Sequence, residues 1–242
     1  GKRSRVARAV GAQAYDTQPA ASCMYYGYWS GFDIEGTRLF IRDGLFAVTV
    51  PSNDDLTFVG FAWPHARFAQ VRADIGTAFL DAAATLPWIA DRLASARQVG
   101  RFVGTGDLDG FFRNASGPGW ALLGDAGYHK DPITAQGMTD ALLHAELLAD
   151  AIVQGLSEDN ALDGALSEYG RRRDAMARPM YALTSDLARL APPAAEMVAL
   201  FSALQDRPAD VRRFLGIMAG TVAVEDFFAP NNLARIAGQA AA

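Results

Sequence analysis

The sequence predicts an α+β protein, and three observations support this fold class. Residues 22–63 contain apolar runs rich in aromatic and β-branched residues, which favour strands. Helical periodicity takes over after Pro64 and dominates the last half of the chain. Half of the 242 residues are hydrophobic and a fifth are charged, which is ordinary for a globular protein with a sizeable core.

Three runs in the first third of the chain predict an antiparallel meander. The first run covers residues 22–32, and the second covers residues 38–50 and contains Asp43-Gly44 between apolar segments. An Asp-Gly pair in this setting is typical of a tight β-hairpin. The third run covers residues 56–63. We expect one face of this sheet to be covered and the other to be partly open.

The remaining elements follow from periodicity and from helix breakers. Gly155 is expected to end the first long helix, and Pro179 to kink or break the second. Two or three short helices should close the chain, and its alanine-rich end, residues 240–242, should be frayed. The predicted elements are helices at 66–83, 86–95, 138–152 and 162–190, and strands at 97–105 and 120–123.

The segment from Gly119 to Met138 carries the most chemical information. It places the carboxylate of Asp125 at the end of an apolar strand, where it can accept hydrogen bonds from sugar or ribitol hydroxyls. Pro132 rigidifies the loop that follows, and Gly137 permits close backbone approach to a flat ring. The next helix leaves its first N–H groups unpaired at a partly positive end, which would stabilise an anionic ring edge.

This segment resembles the second flavin-binding motif of FAD-dependent monooxygenases of the aromatic hydroxylase type (class A flavoproteins). The matching residues are Gly124, Asp125, Ala126, Pro132, Gly137 and Met138. The chain departs from the family pattern at Tyr128, where histidine is usual, and at Ala135, which replaces the first glycine of a pair. The resemblance implies the FAD/NAD(P)-binding hydroxylase-like fold. It also implies that residues 124, 125, 132 and 136–138 bind the cofactor.

The opening residues resemble the end of another motif of the same family, Asp-Gly-x-x-Ser-x-Val-x-Arg. The resemblance implies that Gly1 and Ser4 bind the cofactor here. Because the family places this motif after a Rossmann-type half, we expect a truncated fold: the N-terminal Rossmann half is missing from this chain, or exists as a separate piece. The expected regions are 1–20 as a remnant of the FAD domain, 21–100 as the substrate-domain sheet and helices, 101–160 as the FAD strand, motif and helix, and 161–242 as a C-terminal helical region.

The resemblance implies a monooxygenase in which NAD(P)H reduces FAD and O2 adds at flavin C4a. The resulting hydroperoxide then transfers one oxygen atom to an apolar or aromatic small molecule. The flavin performs the chemistry, so no protein side chain is assigned a catalytic role. Aromatic residues of the meander are candidates to line the substrate pocket, although simple core packing is an alternative for each of them. These candidates are Tyr26, Tyr28, Phe46, Phe58 and Phe61.

Two other functions stay open. The loop with Asp131-Pro132 also resembles the corresponding loop of flavin-dependent halogenases and of geranylgeranyl-type reductases. The chain has Phe-Ala-Trp-Pro at residues 61–64 in place of the Trp-x-Trp-x-Ile-Pro signature of the halogenases, and this sequence matches the reductase element only loosely. We therefore favour hydroxylation over a flavin-dependent reductase or dehydrogenase, and over a fragment that is inactive without its N-terminal half.

Composition excludes several other classes. A net charge of −5 gives no electrostatic reason to expect nucleic acid or an anionic membrane as a partner. A single cysteine, Cys23, indicates a reducing compartment such as the cytoplasm, and the scattered histidines predict no metal site. Residues 171–173, three consecutive arginines, are expected to form a solvated helix face, and His144 is expected to be exposed.

Overall fold

The computed structural model describes residues 1–157 and 162–238, so the predicted frayed tail at 240–242 lies outside the described residues. The chain divides into two compact units. The sheet unit consists of Pro19–Asp109 and Asp186–Pro192, and the helical unit consists of Gly1–Gln18, Gly110–Ser185 and Pro193–Ala242. The α+β fold class is confirmed, whereas the division of the sequence into four functional regions stays a prediction.

The sheet unit is built on a five-stranded antiparallel sheet with the order β3-β4-β5-β2-β6. The predicted hairpin at Asp43-Gly44 is confirmed, since Arg42 pairs with Leu45 across it and Gly44 has a φ of +65°. The strands are β2 (Ser22–Ser30), β3 (Arg38–Arg42), β4 (Leu45–Pro51), β5 (Leu56–Pro64) and β6 (Arg97–Thr105).

One face of this sheet is buried and the other is partly open, as expected, and burial alternates from residue to residue along β2. Trp29 on the buried face stacks on Phe79 with ring centroids 5.9 Å apart. Phe79 belongs to a layer of three helices, α2 (Phe68–Ala73), α3 (Ile75–Ala84) and α4 (Pro87–Leu93). These helices and the buried face form one hydrophobic core.

The predicted single helix at 66–83 is wrong in detail, because the chain breaks at Asp74. This residue has φ −146° and ψ 82°, and its Oδ1 accepts a hydrogen bond of 3.1 Å from the backbone N–H of Thr77. An aspartate that caps a new helix in this way ends the preceding one. Periodicity alone did not reveal this break, since the apolar pattern continues across it.

The helical unit contains a short helix, two small sheets and the longest helices of the described chain. Strand β7 lies between β1 and β10 and pairs antiparallel with both, while β8 and β9 form a separate hairpin. The first helix and the strands are α1 (Arg5–Ala9), β1 (Ala14–Gln18), β7 (Gly110–Arg113), β8 (Ser116–Gly117), β9 (Trp120–Ala121) and β10 (Tyr128–His129).

Two long helices follow, α5 (Gly137–Ser157) and α6 (Leu162–Ala188). The expected stop at Gly155 is absent, and Pro179 does not break the second of these described helices. Gly155 lies inside α5, and a Cβ there would come within 2.7 Å of the Leu162 backbone, so this glycine serves close packing of the two helices. Pro179 lies inside a continuous α6.

The end of the described chain contains four short helices where two or three were expected. Each contributes one buried apolar residue to a common core, in order Leu204, Ile217, Phe227 and Ile236. The helices are α7 (Ala195–Leu204), α8 (Pro208–Met218), α9 (Val224–Phe227) and α10 (Pro230–Ile236).

Candidate cofactor site

The segment from β9 to α5 forms a loop that brings an exposed carboxylate next to a helix start. Strand β9 is shorter than the predicted strand at 120–123, and Asp125 lies in a short 3-10 helix at Gly124–Ala126 rather than at the strand end. Gly124 has a φ of +53°, and a Cβ there would lie 3.1 Å from the Cβ of Ala141. Glycine at this position therefore allows the loop to pack directly on α5 while Asp125 stays exposed.

The second part of the loop is held by its own side chains. The Oδ1 of Asp131 accepts a hydrogen bond of 3.0 Å from the backbone N–H of Ile133, and Pro132 starts a 3-10 helix at Pro132–Thr134. The hydroxyl of Thr134 is buried and lies 2.9 Å from the hydroxyl of Thr184 on α6. These contacts fix the path of the loop into α5.

Ala135 adopts a left-handed conformation, with a φ of +55°, at the end of this 3-10 helix. This is the position at which the family pattern has a glycine. We expect Ala135→Gly to raise the free energy of unfolding by about 1 kcal/mol, because a Cβ is strained at positive φ. Ala149→Gly, within α5, is the control and should cost about 1 kcal/mol through helix propensity. Urea unfolding measures both changes, and a loss of stability in Ala135→Gly would contradict the assignment of strain.

The start of α5 is open. A Cβ built on Gly137 meets no atom within 4 Å, and Met138 is 82% exposed. The carbonyl of Gln136 accepts a hydrogen bond of 2.9 Å from the backbone N–H of Asp140. The N–H groups that precede Asp140 in the first turn therefore have no acceptor within the helix. The Gly137 backbone and the first-turn N–H groups could therefore contact a planar, electron-rich ligand.

The side chain of Gln136 points away from this opening. Its Nε2 donates hydrogen bonds to the carbonyls of Ile217 (3.2 Å) and Met218 (3.0 Å) at the end of α8. Its Oε1 is buried and has no partner among the described residues. The amide thus ties the loop to α8, which leaves only the backbone of Gln136 for the predicted cofactor contact.

The two motifs predicted from the sequence lie together in the helical unit. The guanidinium of Arg113 on β7 donates hydrogen bonds to the carbonyl of Lys2 (3.1 Å) and to the carbonyl of Ala126 (2.9 Å). Arg113 therefore links the segment around Gly1 to the loop that contains Asp125. The hydroxyl of Ser4 accepts the N–H of Ala7 at 3.1 Å and caps α1, so its predicted cofactor contact would add to a structural role.

Arg173 contradicts the prediction of a solvated arginine face. Its side chain is fully buried and donates hydrogen bonds to the carbonyls of Gly127 (3.1 Å) and Arg113 (2.9 Å). It also forms an ion pair with Asp174 at 2.6 Å. A Cβ on Gly127 would lie 2.8 Å from the guanidinium, which explains a glycine at this place in the loop. Arg171 and Arg172 are exposed as expected.

Lys130 and Asp140 form a second, mostly buried contact, which was not predicted from the sequence. The ammonium of Lys130 donates a hydrogen bond to the Oδ2 of Asp140 in the first turn of α5. It lies 5.1 Å from the ring centre of Tyr128. Desolvation lowers the pKa of Lys130, and the negative charges of Asp140 and Asp125 act in the opposite direction.

Two buried polar groups lie next to this ion pair. His144, which was expected to be exposed, is 1% exposed, and its ring centre lies 5.7 Å from that of Tyr128. Burial lowers the pKa of His144 to about 4 and raises the pKa of the Tyr128 hydroxyl. Neither the Nδ1 of His144 nor the hydroxyl of Tyr128 has a partner in the described part of the chain. The expectation for His144 was wrong because α5 buries a polar face against β10.

Four of the five predicted substrate residues share the partly open face of the sheet unit. Tyr26 packs on Phe58 at 4.7 Å and meets Tyr28 edge-on at 5.9 Å, both between ring centroids. Phe46 lies on the same face, because it pairs with Ala62, which is four residues from Phe58 on β5. Phe61 lies on the other face and packs against Phe79 at 4.6 Å. The structure therefore contradicts a common surface for all five residues, and Phe61 serves the core.

Residues 1–157 and 162–238 lack two kinds of feature. No group of three or more His, Cys, Asp or Glu side chains is arranged to hold a metal ion. Within the same residues, none of the helices has the length and apolar character needed to cross a membrane.

The sequence matches no protein-family model and no curated protein. Solved structures of flavin-dependent enzymes are nevertheless similar over nearly the whole chain. The flavin-dependent halogenase CmlS is 21% identical with a TM-score of 0.65, over 98% of this chain and 47% of CmlS. The myxobacterial chondrochloren halogenase CndH, described as FAD-dependent, is 19% identical with a TM-score of 0.68, over 98% of this chain and 59% of CndH.

A third neighbour is PqsL, a probable FAD-dependent monooxygenase from Pseudomonas aeruginosa. It is 25% identical with a TM-score of 0.59, over 90% of this chain and 57% of PqsL. The chain spans about half the length of these three structures. Over that length, the chain has the fold that flavin-dependent halogenases share with an FAD-dependent monooxygenase, which confirms the flavoprotein resemblance of its sequence.

Proposed function

We propose that this chain forms the flavin- and substrate-contacting part of an FAD-dependent monooxygenase. The open helix start at Gly137, beside the exposed carboxylate of Asp125, is the observation that carries the proposal. These residues fit FAD, because Asp125 can accept hydrogen bonds from the ribitol and the first turn of α5 can face the ring edge. Bound FAD would supply two kinds of chemistry: uptake of electrons from NAD(P)H, and transfer of one oxygen atom from O2 to the substrate.

The partly open face of the sheet unit supports an apolar or aromatic small molecule as the substrate. Tyr26, Tyr28 and Phe58 present a cluster of rings on this face, and aromatic surfaces bind flat apolar molecules well. The structure of PqsL has been solved in complex with 2-aminobenzoylacetate, so a protein of this fold binds a small molecule. The protein's part in this reaction is to bind and orient the cofactor and the substrate.

Gly137→Ala tests the cofactor site directly. A Cβ at this position enters open space in the protein, so the fold should tolerate it and helix propensity should add up to about 1 kcal/mol of stability. The same Cβ would stand between the helix start and a flat ring. We expect the affinity for FAD to fall about tenfold, a loss of about 1.4 kcal/mol in binding free energy. Quenching of flavin fluorescence measures the affinity.

Gly164→Ala is the matched control, because Gly164 lies in the first turn of α6 and its Cβ also meets no atom within 4 Å. It should give a similar gain in stability and leave FAD affinity unchanged. Unchanged affinity in Gly137→Ala would contradict the placement of the ring at α5. A wild-type chain that binds no FAD would contradict the proposed function itself.

A halogenase is the second candidate, because the chain carries the Asp131-Pro132 pair and has the fold of CmlS and CndH. Measurement of NAD(P)H oxidation together with oxygen uptake, with and without halide, separates the candidates. Hydroxylated product without halide supports the monooxygenase. Halogenated product that requires chloride or bromide supports the second candidate, and NAD(P)H oxidation without oxygen uptake indicates a reductase.

A further inference from the structure

Asp140 poses an electrostatic problem for a flavin site at the start of α5. Its carboxylate belongs to the first turn of this 21-residue helix, next to the N–H groups that would face the ring edge. A helix start attracts anions through its partial positive charge, equivalent to about half an elementary charge. One uncompensated carboxylate in the same turn would more than cancel this attraction for a reduced flavin, which carries negative charge at that edge.

Lys130 compensates this carboxylate. Its side chain is 4% exposed, and its ammonium is bound to the Oδ2 of Asp140 from the loop side. The lysine also lies within electrostatic reach of Asp125, the residue expected to bind the ribitol. One buried cation thus interacts electrostatically with both acidic groups of the proposed site.

The neighbouring groups leave this balance intact. Burial lowers the pKa of His144 to about 4, so its imidazole is neutral near pH 7. Arg173, the other buried cation in this part of the helical unit, is paired with Asp174. Apart from the exposed Asp125, the charge at the start of α5 therefore depends chiefly on the Lys130–Asp140 pair.

We propose that Lys130 is a positioning residue that neutralises Asp140, so that the start of α5 stays attractive to the anionic reduced flavin. The inference rests on the proposed function. It assigns to Lys130 a role that differs from holding the loop in place. A purely structural clamp would change the affinities for oxidised and reduced flavin equally, whereas a charge acts mainly on the reduced form.

The test measures the midpoint potential of FAD bound to the whole chain, by equilibration with a reference dye, and the affinity for oxidised FAD. In Lys130→Met we expect the ratio of reduced to oxidised affinity to fall about tenfold, a shift of about −30 mV for a two-electron couple. Asp140→Asn should shift the potential in the opposite direction. Lys130→Arg should preserve the wild-type value, and the double variant Lys130→Met/Asp140→Asn should return close to it.

Arg172→Met is the matched control, since it removes one exposed cation from α6 and changes the net charge of the chain equally. It should leave the potential unchanged. If Lys130→Met does not fold, the opposite shift in Asp140→Asn still carries the test. An unchanged potential in both single variants overturns the inference alone, whereas a wild-type chain that binds no FAD overturns the proposed function as well.

Discussion

Replacing Arg173 by methionine should lower the free energy of unfolding of the helical unit by about 3–5 kcal/mol. The guanidinium is fully buried and donates hydrogen bonds to the carbonyls of Gly127 and Arg113. Its removal leaves both carbonyls without this donor. It also leaves the mostly buried Asp174 with only the longer ion pair to Arg178, at 3.8 Å. The Gly127 carbonyl keeps its hydrogen bond of 2.8 Å from the backbone N–H of Arg113, so most of the loss comes from the Arg113 carbonyl and the Asp174 carboxylate, at roughly 1–3 kcal/mol each.

The hydroxyl of Tyr15 joins the same network. It accepts a hydrogen bond of 3.1 Å from Arg173 and donates one of 2.5 Å to the Oδ2 of Asp174. Because Tyr15 lies on β1, Arg113 on β7 and Arg173 on α6, the network connects three elements around the loop at Gly127. Loss of the guanidinium should therefore loosen the loop that presents Asp125, in addition to lowering stability.

Urea unfolding followed by far-ultraviolet circular dichroism reports mainly on the helical unit, which holds the two longest described helices. Tryptophan fluorescence reports mainly on the sheet unit, which holds Trp29, Trp63 and Trp88. Arg172→Met removes the exposed neighbour and should change stability by less than about 0.5 kcal/mol. A loss below about 1 kcal/mol in Arg173→Met would show that the network contributes little.

Local signals in the sequence were sufficient to predict much of the fold. The Asp43-Gly44 hairpin and the covered and partly open faces of the sheet depend on neighbouring residues only, and the structure has both. The motif that starts at Gly124 likewise carries its own glycines and proline. Such features are readable because turn geometry and strand alternation are set over two to four residues.

Two of the differences between prediction and structure do have a signal in the sequence. Phe58 and Phe61 are three residues apart on one strand, so they face opposite sides of the sheet. Arg173 lies four residues from both Tyr169 and Ala177, which are buried on α6. This spacing places residue 173 on the buried face, while the run of three arginines suggests solvent.

The Lys130–Asp140 pair had no such signal. The two residues are ten positions apart, one in a loop and one in a helix, and their contact depends on how the loop folds back on α5. Lysine is also seldom buried, so composition argues against the observed position. Contacts of this kind follow from tertiary packing and are not set by any local pattern.

Acid should destabilise the helical unit through His144. Burial lowers the pKa of this imidazole from 6.5 to about 4, so the folded state binds its proton less readily than the unfolded state does. The stability that the neutral imidazole provides is complete above pH 6.5 and is lost as the pH falls to about 4. The loss reaches about 3 kcal/mol in total, at about 1.4 kcal/mol per pH unit.

His144→Leu should remove this dependence. At pH 7 the variant should be as stable as the wild type or slightly more stable, because the Nδ1 of His144 has no partner within the described residues and an apolar side chain fits the buried position. Below pH 6 the variant should unfold at a higher urea concentration than the wild type. Circular dichroism at a series of pH values measures both effects.

His65→Leu is the control for the general acid sensitivity of the chain. It removes a partly exposed imidazole from the sheet unit and should retain the acid-dependent loss of the wild type. An identical acid dependence in His144→Leu and the wild type would show that other groups cause the loss. A gain confined to low pH would instead show that the face of α5 turned toward Tyr128 is stable because its histidine stays uncharged.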